Sequence, residues 1–355
     1  MPLIDLYGHE ALRERLAQSV DAGSLPSSLL FHGPRGVGKQ RLALWLAQRL
    51  LCTGTAPPCD QCTGCRYVRS LNHPDLHWVF PRPRFKDSDP DLEQIRDDYA
   101  EATVERAATG GLYAAPSGSE GIFVATVRAL IQSASMSPAM GSRKVFIVGD
   151  AERMVAQEGA DMAANAFLKL LEEPPANTTI VLTSSEPGAL LPTIRSRVIA
   201  VRVPPVSDAG VKAFLADPVV KAALTDQKTT SAERLRAAVG APGRLFSGES
   251  NARATLAARK IIDAAIGEKR WQSFSAALGQ GAASARGAFA DTLDAVVELL
   301  GERARDALHR QDDAAAAAAS KSVDAVLRAQ TRATGNVSPQ LITAKLIREL
   351  SATLR

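Results

Sequence analysis

A glycine-rich turn between an apolar strand and a helical segment constrains this chain more than any other feature. Its residues, Gly33-Pro34-Arg35-Gly36-Val37-Gly38-Lys39-Gln40, fit the phosphate-binding pattern G-x-x-x-x-G-K-[ST] except at the last position. Glycines let successive N–H groups point inward at phosphate oxygens, and the following helix adds the positive end of its dipole. The turn therefore predicts a nucleotide-binding loop with contacts from Gly33, Gly36, Gly38, Lys39 and Gln40.

Two positions that usually serve a magnesium ion are altered. The pattern ends in a Ser or Thr whose hydroxyl binds Mg²⁺, and here that residue is Gln40. A second apolar strand runs into Gly149-Asp150, where nucleotide hydrolases of this class carry two acids, one for the metal and one for water. Asp150 by itself is equally compatible with a surface turn. Together, Gln40 and Gly149 predict that hydrolysis is lost and argue against ATP and Mg²⁺ acting at this site.

All the cysteines lie in one short segment, at Cys52, Cys59, Cys62 and Cys65. Such clustering is not typical of a secreted chain held by disulfides. Four thiolates at this spacing can surround one tetrahedral ion and leave no open position, which predicts a structural Zn²⁺ site; an iron–sulfur cluster or a metal-free redox cluster is the alternative. His73 and His77 follow the cluster, and we expect them to be packing or surface residues.

Composition sets broad limits. The chain has 355 residues, 46% of them apolar, and a net charge of +4, which permits a nucleic-acid neighbour without arguing for one. The length allows about two or three domains. No run of about 18 apolar residues predicts a membrane span, and the first residues lack the pattern of a signal peptide. We expect a cytoplasmic protein.

Strands alternate with helices over residues 1–205, a pattern that predicts a doubly wound parallel sheet. The predicted strands are 29–32, 76–80, 145–148, 179–183 and 198–203, and the predicted helices are 9–22, 40–51, 121–136, 160–171 and 190–194. Thr183 ends one strand, where it could sense a γ-phosphate. Residues 81–120 are punctuated by Pro and Gly and predict a flexible insertion with one helix near 91–107.

The second part of the chain is predicted to be helical. Pro204-Pro205 forms a linker, and residues 206–250 predict a small helical lid in which Arg244 opens a helix and is a further nucleotide-site candidate. Residues 251–355 predict a helical bundle for packing or oligomerisation. We expect no catalytic residue in this bundle.

The order of these features resembles that of the bacterial clamp-loader subunits of the AAA+ class, above all the delta-prime type, and it is also close to the gamma/tau type. The resemblance covers about residues 5–205 and rests on four segments: Gly33–Lys39, the four cysteines, Ala163–Pro175 and Thr193–Arg197. It implies an AAA+ parallel sheet with a zinc module inserted at 52–65, a small helical lid at 206–250 and an all-α collar at 251–355.

The resemblance also implies a function. Clamp loaders of DNA polymerase III place ring-shaped sliding clamps on primed DNA during replication, as open hetero-pentamers of gamma/tau, delta and delta-prime types with ATP between subunits. Ser196-Arg197 matches the first two residues of the family's Ser-Arg-Cys motif, with Val198 in place of the cysteine. Arg197 would then act in trans as an arginine finger, since a guanidinium can neutralise charge on a neighbour's γ-phosphate.

Three functional hypotheses follow from the sequence. The first is a delta-prime-like stator that has no ATPase activity as a single chain and completes its neighbour's site with Arg197. The second is an ATP-hydrolysing, gamma-like motor subunit. The third is a zinc-dependent DNA-binding protein outside any clamp loader, which the cysteine cluster and the positive net charge motivate.

Overall fold

The structure, a computed structural model, describes most of the chain. The described residues are 2–85, 90–114, 116, 120–154, 167–225, 229–246, 249–267, 270–279, 286–333 and 337–354. The chain divides into two compact units, Met1–Ala115 with Glu120–Phe246, and Pro116–Ser119 with Ser247–Arg355. Each unit is described by itself below.

The first unit is built on a five-stranded parallel sheet. Its strands are β1 (Ser28–His32), β2 (Leu76–Val79), β3 (Lys144–Val148), β4 (Thr178–Ser184) and β5 (Ile199–Arg202), in the order β2-β3-β4-β1-β5. β1 lies between β4 and β5. Its Phe31 is opposite Thr183 of β4 on one side and Val201 of β5 on the other. Strands β3 and β4 are buried along their whole length, as parallel strands covered on both faces require.

Helices cover both faces of this sheet. The first helices along the chain are α1 (Glu10–Asp21), α2 (Lys39–Leu50), α3 (Thr63–Arg69), α4 (Leu92–Ala108) and α5 (Val124–Ser135). Alternate residues of each strand point to opposite faces. In β3, Val145 and Ile147 therefore pack with Leu42 of α2, while Phe146 packs with Leu130 of α5. The predicted doubly wound parallel sheet is confirmed.

The predicted insertion contains the helix expected near 91–107, observed as α4. Asp91 and Gln94 form a capping box at its start, and Ile95, Tyr99 and Ala102 are buried in the same cluster as α2. Residues 86–89, 115 and 117–119 of this segment lie outside the described residues. The described helix is thus a component of the main core.

The predicted helix 160–171 is described only in part. Residues 167–172 are helical, and Phe167, Leu170 and Leu171 are buried against β4 and its neighbours. Ala163, Ala164, Asn165 and Ala166 lie outside the described residues. A short helix, Pro192–Arg195, then precedes β5, close to its predicted position.

Helices also follow β5 in the first unit, as predicted for the lid. They are Asp208–Ala216, Pro218–Ala223 and Ser231–Ala238, and the 3₁₀ turn Pro242–Phe246 follows them. These helices belong to the same compact unit as the sheet. The three-part domain division therefore stays a prediction.

The described residues of the second unit form long helices. They are Glu249–Ile266, Arg270–Leu278, Arg286–His309, Asp313–Ala333 and Pro339–Leu354. Their core contains Leu293, Val296 and Leu300, which recur at helical spacing along Arg286–His309. Within the described part of the chain, no helix is both long enough and apolar enough to cross a lipid bilayer.

A buried carboxylate fixes the connection into β3. Asp75 is 1% exposed and accepts hydrogen bonds from the N–H groups of Ala139, Met140 and Gly141 at 2.6–2.9 Å. Burial alone would raise the pKa of Asp75, but these three donors and nearby His73 outweigh it and lower the pKa. The ionised carboxylate therefore stabilises the folded state.

We predict that Asp75→Asn lowers the free energy of unfolding by about 1–3 kcal/mol at pH 7, because an amide cannot match a carboxylate as acceptor for three N–H groups. The lowered folded pKa means that the carboxylate's contribution is present above about pH 4 and is lost as pH falls through the folded pKa. Urea unfolding at several pH values should therefore show the difference between wild type and variant shrinking in acid. Asp97→Asn, at an exposed site, should change stability by less than about 0.5 kcal/mol.

Candidate nucleotide site and metal centre

The predicted phosphate loop connects β1 to α2 with the backbone that its glycines allow. Gly36 and Gly38 have φ values of 84° and 95°, which L side chains rarely adopt. A Cβ at Gly33 would lie 2.2 Å from the carbonyl oxygen of Val203 after β5. Both constraints explain why glycine stands at these three positions, and they place the loop at the carboxyl ends of the central strands.

Lys39 is the cation of this loop, and it is almost fully buried. Its ammonium donates hydrogen bonds of 2.9 Å to the carbonyl oxygens of Gly33 and Pro34 and to Oγ of Ser185. An ammonium has three donors, so these acceptors use its full capacity. Burial lowers the pKa of Lys39, and the charges of Asp150 and Glu152 oppose that shift.

Gln40 occupies the corner beside the loop where the pattern would place a metal-binding hydroxyl. Its Nε2 donates to Oδ2 of Asp150 at 3.0 Å, and its Oε1 accepts from Nε1 of Trp78 at 3.0 Å. Gln40 is only 7% exposed. The amide therefore joins the acid after β3 to an indole on β2.

Gly149 is explained by the same amide. A Cβ at this position would lie 2.5–2.7 Å from Oε1, Cδ and Nε2 of Gln40. Side chains do not approach so closely, and Gln40 cannot move away without breaking its bonds to Trp78 and Asp150. Gly149 and Gln40 thus form one steric unit, in which the glycine leaves the space that the amide fills.

Asp150, Thr183 and Glu152 lie on the other side of this corner. The N–H of Asp150 donates to Oγ1 of Thr183 at 3.1 Å, which links the ends of β3 and β4. Glu152 is buried, and one of its oxygens accepts from the N–H of Ser185 while the other has no hydrogen bond among the described residues. Burial, and then the charge of Asp150, raise the pKa of Glu152 to about 7.

The turn that contains Arg244 lies directly on the loop. The N–H of Gly243 donates to the carbonyl oxygen of Gly36 at 2.9 Å. A Cβ at Gly36 would meet Cγ and the backbone nitrogen of Arg244 at 2.9 Å. The structure thus places Arg244 beside the loop, inside the turn Pro242–Phe246 and not at the start of a helix. Hydrogen bonds join Gln40 to Asp150 and Asp150 to Thr183, while Lys39 bonds to Ser185.

Arg197 and Ser196 lie at the end of the short helix before β5, with a separate set of partners. Arg197 Nε and Nη2 both donate to Oε1 of Glu172, with Nε at 2.7 Å. Its Nη1 donates to the carbonyl oxygen of Thr193 at 2.8 Å and to Oγ of Ser196 at 3.2 Å. The Arg197 side chain is 31% exposed, so it can reach another molecule.

The four predicted metal-ligating cysteines converge. All their Sγ atoms lie within 4.8 Å of one another. The Sγ separations are 4.0 Å for Cys59 and Cys65, and 3.8 Å for Cys52 and Cys62. Four sulfurs bound tetrahedrally at about 2.3 Å from one ion are about 3.8 Å apart, so the spacing fits a single metal ion.

Backbone N–H groups prepare some of these thiols as ligands. Burial raises the pKa of Cys62, but the N–H groups of Cys65 and Thr53 outweigh it and bring the pKa to about 5. The N–H groups of Cys62 and Gln61 lower the pKa of Cys59, whereas burial raises that of Cys52. Thiolates are the form that binds metals.

Neither predicted non-ligand histidine joins the cysteine cluster within the described residues. His73 is buried, and its Nδ1 accepts the N–H of Asp75 at 3.1 Å. His77 stacks on Phe146 with 4.6 Å between ring centroids. Both are packing residues, as expected.

Sequence reasoning missed several residues of these sites. Trp78 gave no signal because its indole matters only through its hydrogen bond to Gln40. Glu172 is 25 residues before Arg197. Glu152 could have been found, since it follows Asp150 by two residues after a buried strand.

Comparison with known proteins gives a consistent match. A family model described as "DNA polymerase III, delta subunit" matches residues 8–207, more than half of the chain. The DNA polymerase III subunit delta' of Bacillus subtilis is 32% identical over 183 residues, 51% of this chain and 43% of that protein. That of Escherichia coli is 29% identical over 279 residues, 77% of this chain and 70% of that protein.

A second type of subunit also matches. The DNA polymerase III subunit tau of Salmonella typhimurium is 30% identical over 197 residues, 55% of this chain and 24% of that protein. The matched region thus spans less than half of the Bacillus and Salmonella proteins. Identity alone does not separate the two subunit types.

We predict that Gly149→Ala lowers the free energy of unfolding by about 1–3 kcal/mol, because its methyl group displaces the Gln40 amide from two buried hydrogen bonds. In a Gln40→Ser background the same change should cost much less, since the shorter side chain leaves room. A double-mutant cycle by chemical unfolding measures this coupling.

Gly188→Ala is the matched control for this cycle, because a Cβ there meets nothing within 4 Å. It should change the free energy of unfolding by less than about 0.5 kcal/mol. Equal costs for Gly149→Ala in both backgrounds would contradict the steric unit.

Proposed function

This chain belongs to the DNA polymerase III delta subunit family, and from that premise we propose that it is a delta-prime-like clamp-loader subunit that does not hydrolyse ATP. In this role it is a stator, completing a neighbouring subunit's ATP site with Arg197. The observation that carries the proposal is the Gln40 amide wedged between Trp78 and Asp150 beside Gly149.

The chemistry of that corner supports loss of metal-dependent hydrolysis. Mg²⁺ requires near-octahedral oxygen ligands and keeps several waters. Here the N–H₂ group of Gln40 donates a hydrogen bond to Oδ2 of Asp150, the oxygen that a metal ion would otherwise bind. An acid at position 149 would collide with the same amide.

The hydrogen bonds of Lys39 also support the loss of hydrolysis at this site. Phosphate oxygens would have to replace Gly33, Pro34 and Ser185 as acceptors of its hydrogen bonds. We propose that the loop serves mainly as a structural junction, where any bound nucleotide is held without turnover. ATP and Mg²⁺ are then cofactors of the complex rather than of this subunit.

We propose that the partners are gamma/tau- and delta-type subunits in a hetero-pentamer, and through that complex the sliding clamp and primed DNA.

The exposed apolar face of the helix Arg270–Leu278 supports an assembly role for the second unit as a collar. Its Trp271, Phe274 and Leu278 are 65%, 67% and 60% exposed. Large apolar side chains aligned on one helix face are typical of interaction surfaces. Such a replication complex would act in the bacterial cytoplasm.

A gamma-like, ATP-hydrolysing motor is the second candidate. The match to a tau subunit and the retained glycines and Lys39 favour it. It would require water to replace the missing hydroxyl at position 40. A Gln40→Thr variant separates the candidates, because substantial ATPase activity of the single chain both before and after the change would favour a motor.

We also propose that the ion of the cysteine cluster is Zn²⁺ in a structural role. Sulfur donors at this spacing suit zinc, and four of them leave no position open for substrate. The cluster holds α3 beside α2, with Cys62 capping the start of α3.

We predict that the purified single chain shows no Mg²⁺-dependent ATP hydrolysis. In a complex reconstituted with gamma/tau- and delta-type subunits from the same organism, Arg197→Ala should lower the stimulated ATPase rate by at least about tenfold, since arginine fingers supply about 10³–10⁵ in related phosphoryl transfers. A coupled ATPase assay with size-exclusion chromatography measures rate and assembly together.

Arg195→Ala is the control for this assay, since Arg195 is an exposed arginine two residues away. It should leave the rate of the complex unchanged. Rapid ATP turnover by the single chain would overturn the stator assignment, and an unchanged rate in the Arg197→Ala complex would overturn the arginine-finger assignment.

For the cysteine cluster, we predict about one zinc ion per chain by elemental analysis. Cys62→Ser should abolish stoichiometric zinc and lower the melting temperature, because structural zinc contributes directly to folding. Ser70→Ala, at a half-buried hydrogen-bonded serine just after α3, should retain the metal. Stoichiometric iron, or full stability without metal, would contradict the zinc assignment.

A further inference from the structure

The guanidinium of Arg197 is held along almost its whole edge by its own chain. Glu172 accepts from Nε and Nη2 through one oxygen, and the carbonyl of Thr193 and hydroxyl of Ser196 accept from Nη1. An arginine has five N–H donors, so within the described residues four are engaged and one on Nη2 is left. The side chain is therefore oriented before any partner arrives.

Such orientation has a physical consequence. A partly exposed arginine has a long, flexible side chain, and fixing it against an external phosphate costs rotamer entropy. When the contacts with Glu172 and Thr193 already fix the planar fork, less entropy is lost as the remaining donor meets its acceptor. With these contacts in place the Arg197 side chain is still 31% exposed.

Glu172 is itself well placed for this task. It ends the described helical residues 167–172, whose Leu170 and Leu171 are buried in the core. Ile194 and Val198, on either side of Arg197, are buried in the same cluster. The acid and the arginine thus extend from a shared rigid support.

We propose that Glu172 is a positioning residue for Arg197, holding the guanidinium in the orientation that meets an anionic phosphate on a neighbouring subunit. This inference rests on the proposed function, since it needs Arg197 to act in trans. Glu172 does not touch the phosphate, so its effect passes through Arg197 alone. The two hydrogen bonds to Oε1 of Glu172 and the bond to the Thr193 carbonyl select one rotamer of the finger.

The test uses the complex reconstituted with gamma/tau- and delta-type subunits and measures kcat and KM for ATP. We expect Glu172→Ala to lower kcat by about tenfold with KM nearly unchanged, because the neighbour's loop binds ATP while misplacement weakens the transition-state contact. Glu172→Gln, which keeps one carbonyl acceptor, should give an intermediate kcat. Glu173→Ala, at the exposed adjacent acid, should match the wild type.

A double variant tests whether Glu172 acts through Arg197. In an Arg197→Ala background, Glu172→Ala should have no further effect on kcat, whereas a merely structural role would lower it again. Melting temperatures and size-exclusion profiles check that each variant folds and assembles. Additive losses, a change in KM alone, or a rise in kcat for Glu172→Ala would overturn the positioning role.

These outcomes also separate this inference from the proposed function. If Arg197→Ala leaves the rate of the complex unchanged, both the arginine-finger assignment and the positioning role of Glu172 are overturned. If Arg197→Ala lowers the rate and Glu172→Ala does not, only the positioning role is overturned.

Discussion

The buried ammonium of Lys39 determines how the centre of the first unit is arranged. A buried cation must be hydrogen-bonded, and Lys39 meets that requirement with two carbonyls of its own loop and Ser185 after β4. These bonds tie the start of α2 to the edge where β1 and β4 end side by side. The parallel order of the sheet places Gln40 and Asp150 at that same edge.

Much of this arrangement could be predicted from the sequence. Glycines beside an apolar strand identified the loop, and unbroken apolar runs identified buried strands such as β3. The cysteine spacing alone predicted that four sulfurs meet. Each of these signals is local, because a few neighbouring residues carry both the pattern and its physical reason.

The relation between Gln40 and Gly149 could not be predicted in the same way. In the sequence they are two separate departures from a metal-binding pattern, 109 residues apart. In the structure the Gln40 amide occupies the space that a Cβ at position 149 would need. Contacts between residues so far apart depend on strand order and register, which local patterns do not encode. The same limit applies to Trp78, whose indole completes the amide's hydrogen bonds.

The two candidate sites of the first unit place different demands on rigidity. At the loop, the hydrogen bonds of Lys39 and the bond between Gln40 and Asp150 stabilise the protein, and a ligand would have to replace them. At Arg197, the contacts with Glu172 and Thr193 fix a charged group while leaving part of it exposed. A subunit that acts on its neighbour's nucleotide needs an arginine that is both oriented and partly exposed. The core that orients this arginine must stay rigid when the arginine meets the nucleotide. Ile194 and Val198, buried on either side of Arg197, supply that core.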